Sequence, residues 1–450
     1  MLERRSARIA GAGAARDYAA HLLTSLGAEV VRAPGAADLP SALEWARSGA
    51  MWLTGSADGA PRPAPGPLAS CARGALEALR ALAPWSDALP ADGAALLGER
   101  AACFGYARAG RVAPSGSCRL LRCGDGWIAL NLARDDDRAS LPAWLEQDAD
   151  PHTDHWAFAE RGVAQRSAAE LVVRAGWLGL AVAEAAPSPD PTPAWLRWRA
   201  VGARSERAWD DPRRAPLVLD LSALWAGPLA GEILAAAGAR VVKVESPRRP
   251  DGARSGPRDF YDLCNGAKPC VALDLGGARG REQLAALAER ADAILESARP
   301  RALSQLGLDP ETWLAESPGR TWVSITGYGR GDPAPGRVAF GDDAGVAAGL
   351  ALSTGGDDAP LFCGDAIADP LAGLHAAVAA AASLRAGGGH LLDVALRDVT
   401  AHAAAFRTSC VERAVEIPCA SPPRARRPTR AARPLGADTA SILAELGVPC

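Results

Sequence analysis

The sequence has no excess of charge of either sign and no long apolar run. Its 49 Lys and Arg residues against 52 Asp and Glu give a formal net charge of -3, so no basic field for nucleic acid is present. No stretch reaches the ~18 uninterrupted apolar residues of a membrane span, and the first residues lead into a short apolar segment broken by glycines rather than a signal-peptide core. We therefore expect no nucleic-acid or membrane partner and a cytoplasmic location.

Signals for a metal or a tightly bound cofactor are also missing. No two of the ten cysteines are spaced as C-x-x-C, which in a chain of this size indicates reduced, mostly buried thiols. His152 and His155 resemble half a metal site without a third ligand. Residues 11–16 imitate the dinucleotide fingerprint G-x-G-x-x-G but end on Arg16 instead of glycine, which disfavours NAD binding. We predict no metal and no tightly bound cofactor.

Two parts of the sequence resemble each other. Residues 7–34 parallel residues 216–247, and both predict a strand, a helix and a glycine turn into a second strand, the βαβ pattern of a parallel sheet. A later apolar helix also occurs twice, after Gly66 in the first part and after Asp369 in the second. We infer an internal duplication whose first copy is shortened and lacks the carboxylate.

The alternation of strands and helices predicts an α/β protein with a small α+β domain inserted between the two copies. The middle region contains a hairpin signal at 124–126 followed by two helical stretches. The predicted domains are a degenerate large-domain copy at 1–112, a small α+β domain at 113–200, a linker at 201–215, a full large domain at 216–410, and an extended tail with a terminal helix at 411–450.

Asp369 is the candidate nucleophile. It precedes an alanine-rich run, 370–386, that predicts a helix with Asp369 as N-cap and Pro370 as the first helical residue. The positive end of the helix dipole favours an ionised carboxylate. A carboxylate with an ordinary pKa of ~3.9 is ionised at neutral pH and needs no general base to attack. The alternative interpretation is that Asp369 only caps the helix.

Several motifs in one order resemble a known family. They are the strand and Ala-Gly-Pro turn at 218–228, the segment 238–245, Asn265 with Lys268 and the following 271–275, the segments 294–300 and 324–329, the Asp369 stretch, and 434–439. Together they are similar to the class III CoA-transferase family, a formyl-CoA transferase-like group that also contains carnitine CoA-transferases and α-methylacyl-CoA racemases.

The resemblance implies a Rossmann-like large domain and the transfer of CoA from an acyl-CoA donor to a carboxylic acid acceptor. Asp369 would attack the thioester, and the reaction would pass through an aspartyl anhydride and an aspartyl-CoA thioester. It also implies a homodimer, or a single-chain pseudo-dimer in which one chain supplies what two subunits supply elsewhere. The implied contacts with CoA are Trp225, Ala226, Lys268, Leu273, Asp274, Leu275, Ser297, Ala298 and Arg299.

Charge alone adds possible phosphate-binding cations to this set, namely Lys243, Arg248, Arg249, Arg254 and Arg258. Two departures from the family pattern bear on function. Asp342 stands where the racemases need a histidine, which disfavours racemisation, and Ser246 and Ser297 replace an arginine and an asparagine near the CoA site. Two alternatives remain: an acyl-CoA racemase or epimerase, and a noncatalytic acyl-CoA-binding protein, which the degenerate first copy suggests.

Overall fold

The computed structural model describes residues 1–148, 152–188, 190, 193–206, 209–211, 213–299, 301–331, 336–356, 359–410, 412 and 419–449. The strands are β1 (Ser6–Ala12), β2 (Glu29–Ala37), β3 (Cys118–Arg122), β4 (Trp127–Asn131), β5 (Ala181–Glu184), β6 (Arg197–Ala200), β7 (Leu217–Asp220), β8 (Arg240–Glu245), β9 (Cys270–Ala272), β10 (Ala293–Glu296), β11 (Thr321–Thr326) and β12 (His390–Ala395).

The helices of the first half are α1 (Ala14–Ser25), α2 (Ser41–Arg47), α3 (Leu68–Leu82), α4 (Glu99–Phe104), α5 (Asp135–Ala139), α6 (Leu141–Leu145), α7 (His155–Val163) and α8 (Ala168–Leu178). Those of the second half are α9 (Ala226–Ala236), α10 (Arg258–Asn265), α11 (Ala278–Arg290), α12 (Pro310–Glu316), α13 (Gly341–Ala347), α14 (Leu350–Gly355), α15 (Ala368–Arg385), α16 (Leu396–Ala405) and α17 (Thr439–Glu445).

The large sheet has seven strands in the order β6-β12-β11-β10-β7-β8-β9. All neighbours pair in parallel except β6, which is antiparallel to β12. Its parallel strands are buried on both faces, as their nearly continuous apolar runs require. From β7 the chain winds outward through β8 and β9, then returns to β10 and winds the other way. This doubly wound order places the switch point, where such folds bind ligands, between the carboxyl ends of β7 and β10.

A three-stranded antiparallel sheet, β3-β4-β5, forms with helices α5 to α8 a second core around Trp144 and Leu171. The predicted hairpin at 124–126 is present, because β3 and β4 pair across that turn. The predicted small domain at 113–200 extends too far, however. Residues 197–200 form β6, which hydrogen-bonds to β12 and therefore belongs to the large sheet. Residues 207, 208 and 212 of the predicted linker lie outside the described residues.

The N-terminal segment, residues 1–112, shares its core with the large domain. Strands β1 and β2 form a parallel two-stranded sheet, and helix α1 packs on α3, α3 on α15, and α15 on α9. One apolar cluster contains side chains from both regions, such as Leu22, Leu76, Leu229 and Leu371. The symmetric order of these four helices is what an internal duplication would produce, and the duplication itself stays a prediction.

The C-terminal tail lies against two distant parts of the chain. The backbone N–H groups of Cys270 and Ala272 in β9 donate to Asp438 Oδ2 and Thr439 Oγ1 at 2.9 and 3.0 Å. Earlier in the tail, Arg426 donates to both carboxylate oxygens of Glu99, the first residue of α4, at 2.7 and 2.8 Å. Within the described ranges, no helix is long and apolar enough to cross a bilayer.

Candidate active site

Asp369 lies in the first turn of α15, although not in the predicted place. The helix begins at Ala368, with Ile367 at the N-cap and no capping side chain, so the prediction that Asp369 is the N-cap is wrong. The backbone turns early at Ala366, whose φ is 42°, and the Asp369 N–H donates to the Ala366 carbonyl at 2.9 Å. The Asp369 carboxylate is therefore free of the capping role and remains partly exposed.

Gly341, the first residue of α13, closes one side of the site. Its backbone N–H donates to the Asp369 carboxylate. A methyl group at position 341 would overlap Asp369 Oδ2 and the carbonyl oxygen of Ala366. Helix α13 therefore approaches Asp369 as closely as it does only because residue 341 has no side chain.

Arg100 of α4 supplies the cation of the site. Its Nε and Nη2 donate to the two oxygens of Asp365 at 2.9 and 2.6 Å, and Asp365 is fully buried. The guanidinium carbon also lies 5.5 Å from the ring centre of Trp225 and 5.8 Å from that of Tyr106. A planar cation held by a bidentate pair and two aromatic rings has little freedom to move.

Three further carboxylates, those of Asp342, Asp343 and Asp369, lie near Arg100 and Asp365. Burial and the charge of a neighbouring carboxylate raise the pKa of each. Burial raises the pKa of Asp369 to about 7, the cation of Arg100 opposes this shift, and the charges of Asp342 and Asp365 add to it. Burial likewise raises the pKa of Asp342, although that carboxylate accepts a hydrogen bond from the Ala366 N–H at 2.8 Å. Burial also raises the pKa of Asp343 to about 7. The expectation of a fully ionised Asp369 at neutral pH is thus wrong.

The switch-point loops carry other predicted site residues. Trp225 ends the loop after β7 and is buried, and its indole N–H has no hydrogen-bond partner among the described residues. Ala226 begins α9, and its carbonyl oxygen faces Gly373 of α15 so closely that a methyl group at 373 would touch it. Across the switch point, the Ala223 N–H donates to Ser297 Oγ at 3.2 Å. The structure thus brings Trp225, Ala226 and Ser297 towards the same side of the sheet as Asp369.

Two of the predicted phosphate-binding cations are enclosed instead. The Lys268 ammonium donates to Asp220 Oδ2 and to the Pro228 carbonyl, both at 2.7 Å, and its side chain is 0% exposed. Lys243 pairs with Asp251 at 2.9 Å and is 1% exposed. These ammonium groups face carboxylates and not solvent, which corrects the expected contact with CoA phosphates. They fix the ends of β7 and β8, from which the switch-point loops start.

The remaining predicted contacts lie along the rim of the sheet. Leu273 is buried, Asp274 is exposed and pairs with Arg248 at 2.9 Å, and Leu275 is half-buried. After β10, Ala298 is half-buried and Arg299 is exposed beside Gly179 of the small sheet's helices.

The other cations of the predicted set differ in their availability. Arg248, Arg249 and Arg258 are exposed, even though Arg248 and Arg258 each lie beside a carboxylate, whereas Arg254 is half-buried and pairs with Glu245 at 2.6 Å. The exposed arginines are the ones open to a phosphate group.

Sequence reasoning missed Arg100 because it belongs to the segment interpreted as a degenerate copy. Asp365 stands four residues before Asp369 in an apolar stretch. Two carboxylates so close together in a buried segment require a cation nearby. That requirement was the available signal, although the sequence does not say which of the 49 Lys and Arg residues meets it.

The fold and the site together define a doubly wound α/β protein with a carboxylate-rich site beside its switch point. Residues 216–420 match the family described as CoA-transferase family III. Succinyl-CoA--D-citramalate CoA-transferase of Chloroflexus aurantiacus is 32% identical over 205 residues, which cover 43% of this chain and 50% of the relative. Formyl-CoA:oxalate CoA-transferase of Afipia carboxidovorans is 31% identical over 193 residues, covering 40% and 45%.

Among solved structures, the chain is similar to the hypothetical protein Rv3272 of Mycobacterium tuberculosis. The identity is 30%, the match covers 41% of this chain and 54% of that one, and the TM-score is 0.38. This chain therefore spans about half the length of the curated relatives it matches. The N-terminal segment with Arg100 lies outside the family match.

Proposed function

We propose that the protein is an acyl-CoA:carboxylate CoA-transferase with Asp369 as its nucleophile. The observation that carries the proposal is the placement of Asp369: a partly exposed carboxylate, not used as a helix cap, held by the Gly341 N–H beside the switch point. The match of residues 216–420 to CoA-transferase family III and the CoA-transferase names of several relatives support the reaction class.

In the proposed reaction, an oxygen of ionised Asp369 attacks the acyl-CoA carbonyl carbon, the C–S bond breaks, and CoA thiolate leaves a mixed anhydride. The thiolate then attacks the aspartyl carbonyl, which releases the donor acid and forms an aspartyl-CoA thioester. The acceptor carboxylate attacks this thioester to give a second anhydride and thiolate. Attack of the thiolate on the acceptor's carbonyl forms the new acyl-CoA and regenerates Asp369.

CoA would lie across the loops after β7 and β10. The buried indole N–H of Trp225 has no partner within the described ranges, and a buried donor of this kind normally has one, so an acceptor atom of bound CoA would satisfy it. Ser297 and Arg299 are exposed on the opposite loop, where Arg299 suits a phosphate. The acyl-CoA donor and carboxylic acid acceptor are the proposed partners, with CoA as a substrate and no tightly bound cofactor.

The test is to incubate the protein with a panel of acyl-CoAs and carboxylic acids and to follow CoA exchange by mass spectrometry. Asp369→Asn should abolish exchange and still bind CoA, and hydroxylamine added during turnover should modify the peptide containing Asp369. The matched control is Asp309→Asn, because Asp309-Pro310 is a true N-cap with proline at the first helical position. A fully active Asp369→Asn protein would refute the mechanism.

The same experiment separates the two rival functions. Exchange of the α-proton in deuterated water without CoA transfer would indicate a racemase. Asp342 at the position of the racemase histidine disfavours this outcome. CoA binding without turnover of any acid would indicate a binding protein.

A further inference from the structure

Arg100 reaches the candidate site from a part of the chain that the family match does not include. It lies on α4, and the residue before it, Glu99, is held by Arg426 of the tail. Pro423 of the tail also packs against Gly98, immediately before α4. Helix α4 is therefore fixed from the outer side, while its arginine points inward to Asp365.

The charges around Asp369 do not balance without this arginine. The groups that face Asp369 are Arg100 of α4, Asp342 of α13 and Asp365 of the turn before α15, with the Gly341 N–H as a neutral donor. Asp343 and Tyr106 lie further from Asp369: Asp343 is next to Asp342, and Tyr106 is next to Arg100. Among these groups, Arg100 carries the only positive charge.

We propose that Arg100 is a positioning residue of the transferase site, which cancels the charge of Asp365 and so lets Asp369 carry the negative charge that attack on a thioester requires. The inference rests on the proposed function and deepens it, because it gives the N-terminal segment a part in the chemistry. Arg100 acts on Asp369 by pairing with Asp365 and by its own electrostatic field, and it need not touch substrate.

Three variants distinguish this role from others by the sign of their effects. Arg100→Gln removes the cation and should raise the apparent pKa of Asp369 by about one unit or more, with kcat/KM at pH 7 roughly tenfold lower and partly recovered at pH 9. Asp365→Asn leaves the cation without its nearest counter-charge and should shift the pKa of Asp369 downward. In the double variant the two changes should largely cancel.

The ionisation of Asp369 can be followed without turnover, by carboxyl ¹³C NMR of Asp-labelled protein with Asp369→Asn as the difference control. The matched control pair is Arg73 with Glu44, another arginine beside a buried carboxylate in the N-terminal segment, at 2.9 Å. Arg73→Gln should leave the titration of Asp369 unchanged. If Arg100→Gln fails to fold, Asp365→Asn should still lower the pKa of Asp369, and the double variant should leave it nearly unchanged.

The outcomes separate cleanly. An unchanged titration of Asp369 in both single variants overturns the proposal. A higher KM for acyl-CoA with an unaltered pH profile, not restored by Asp365→Asn, also overturns it and assigns Arg100 to substrate binding. If the protein transfers no CoA but the titration shifts as expected, the proposed function fails while the charge coupling between Arg100 and Asp369 stands.

Discussion

With a pKa raised to about 7, Asp369 is expected to be only partly ionised near neutral pH, which would limit its reactivity as the proposed nucleophile. Because burial raises its pKa to about 7, the ionised fraction, and with it kcat/KM, should rise with pH through about 7 and level off above pH 8. A nucleophile with the ordinary carboxylate pKa of ~3.9 would give a flat profile over this range. Initial rates between pH 5.5 and 9, at acyl-CoA concentrations below KM, distinguish the two.

The same shift predicts how stability depends on pH. Because the pKa of Asp369 is higher in the folded than in the unfolded protein, the folded protein binds more protons at this group. The contribution of Asp369 to the free energy of unfolding is therefore greatest in acid and is lost as pH rises through about 7. Asp369→Asn should therefore stabilise the protein at pH 8, by a few kcal/mol at about 1.4 kcal/mol per pKa unit, and change it little at pH 4. Urea unfolding at both pH values measures this, and equal effects at the two would contradict it.

Among single residues, the sequence predicted Asp369 as the candidate nucleophile, which stays a prediction, but it did not predict the raised pKa of this carboxyl group. The motif around Asp369 is local and readable. Its ionisation depends on Arg100 and Asp342, which are distant in sequence and meet it only through tertiary packing. Lys268 shows the converse, since its position in a motif was recognised while its burial against Asp220 was not.

Helix α13 approaches Asp369 through a residue that has to be glycine. Gly341→Ala would place a methyl group against the carboxylate and the Ala366 carbonyl, so we expect kcat to fall by about tenfold or more, since a displaced reacting group costs up to ~100-fold. Gly126→Ala is the control, because a side chain at this hairpin turn meets nothing within 4 Å and φ is not positive. Wild-type kcat in Gly341→Ala would show that the close approach is unimportant.

Among the elements, the strands and most helices followed from hydrophobic patterning. The apolar residues Val241, Val242 and Val244, together with the glycine turn before them, predict a buried parallel strand, and the structure has it. The start of α15 was missed by two residues, because the turn at Ala366, with its positive φ, is held by a hydrogen bond to Asp342, which is distant in sequence. The assignment of 197–200 to the small domain failed because strand pairing partners cannot be read from a four-residue segment.

For the whole molecule, the shared core makes the N-terminal segment indispensable for folding. A fragment beginning at residue 209 would expose the faces of α15 and α9 that pack against α3 and its neighbours, a large apolar surface. We expect this fragment to be insoluble or to unfold without cooperativity, and co-expression of residues 1–206 to rescue it. Solubility and circular-dichroism melting test this, and a soluble fragment with a sharp transition would show two independent domains.

The two outer strands of the large sheet determine how copies of this protein can associate. The backbone of β9 is already occupied by Asp438 and Thr439 of the tail, and β6 is a four-residue strand that bears Arg197 and Arg199 on exposed positions. Edge strands that are short, charged or covered in this way resist pairing with a strand of another chain. Fibril growth by edge-to-edge pairing is therefore disfavoured at both edges of this sheet.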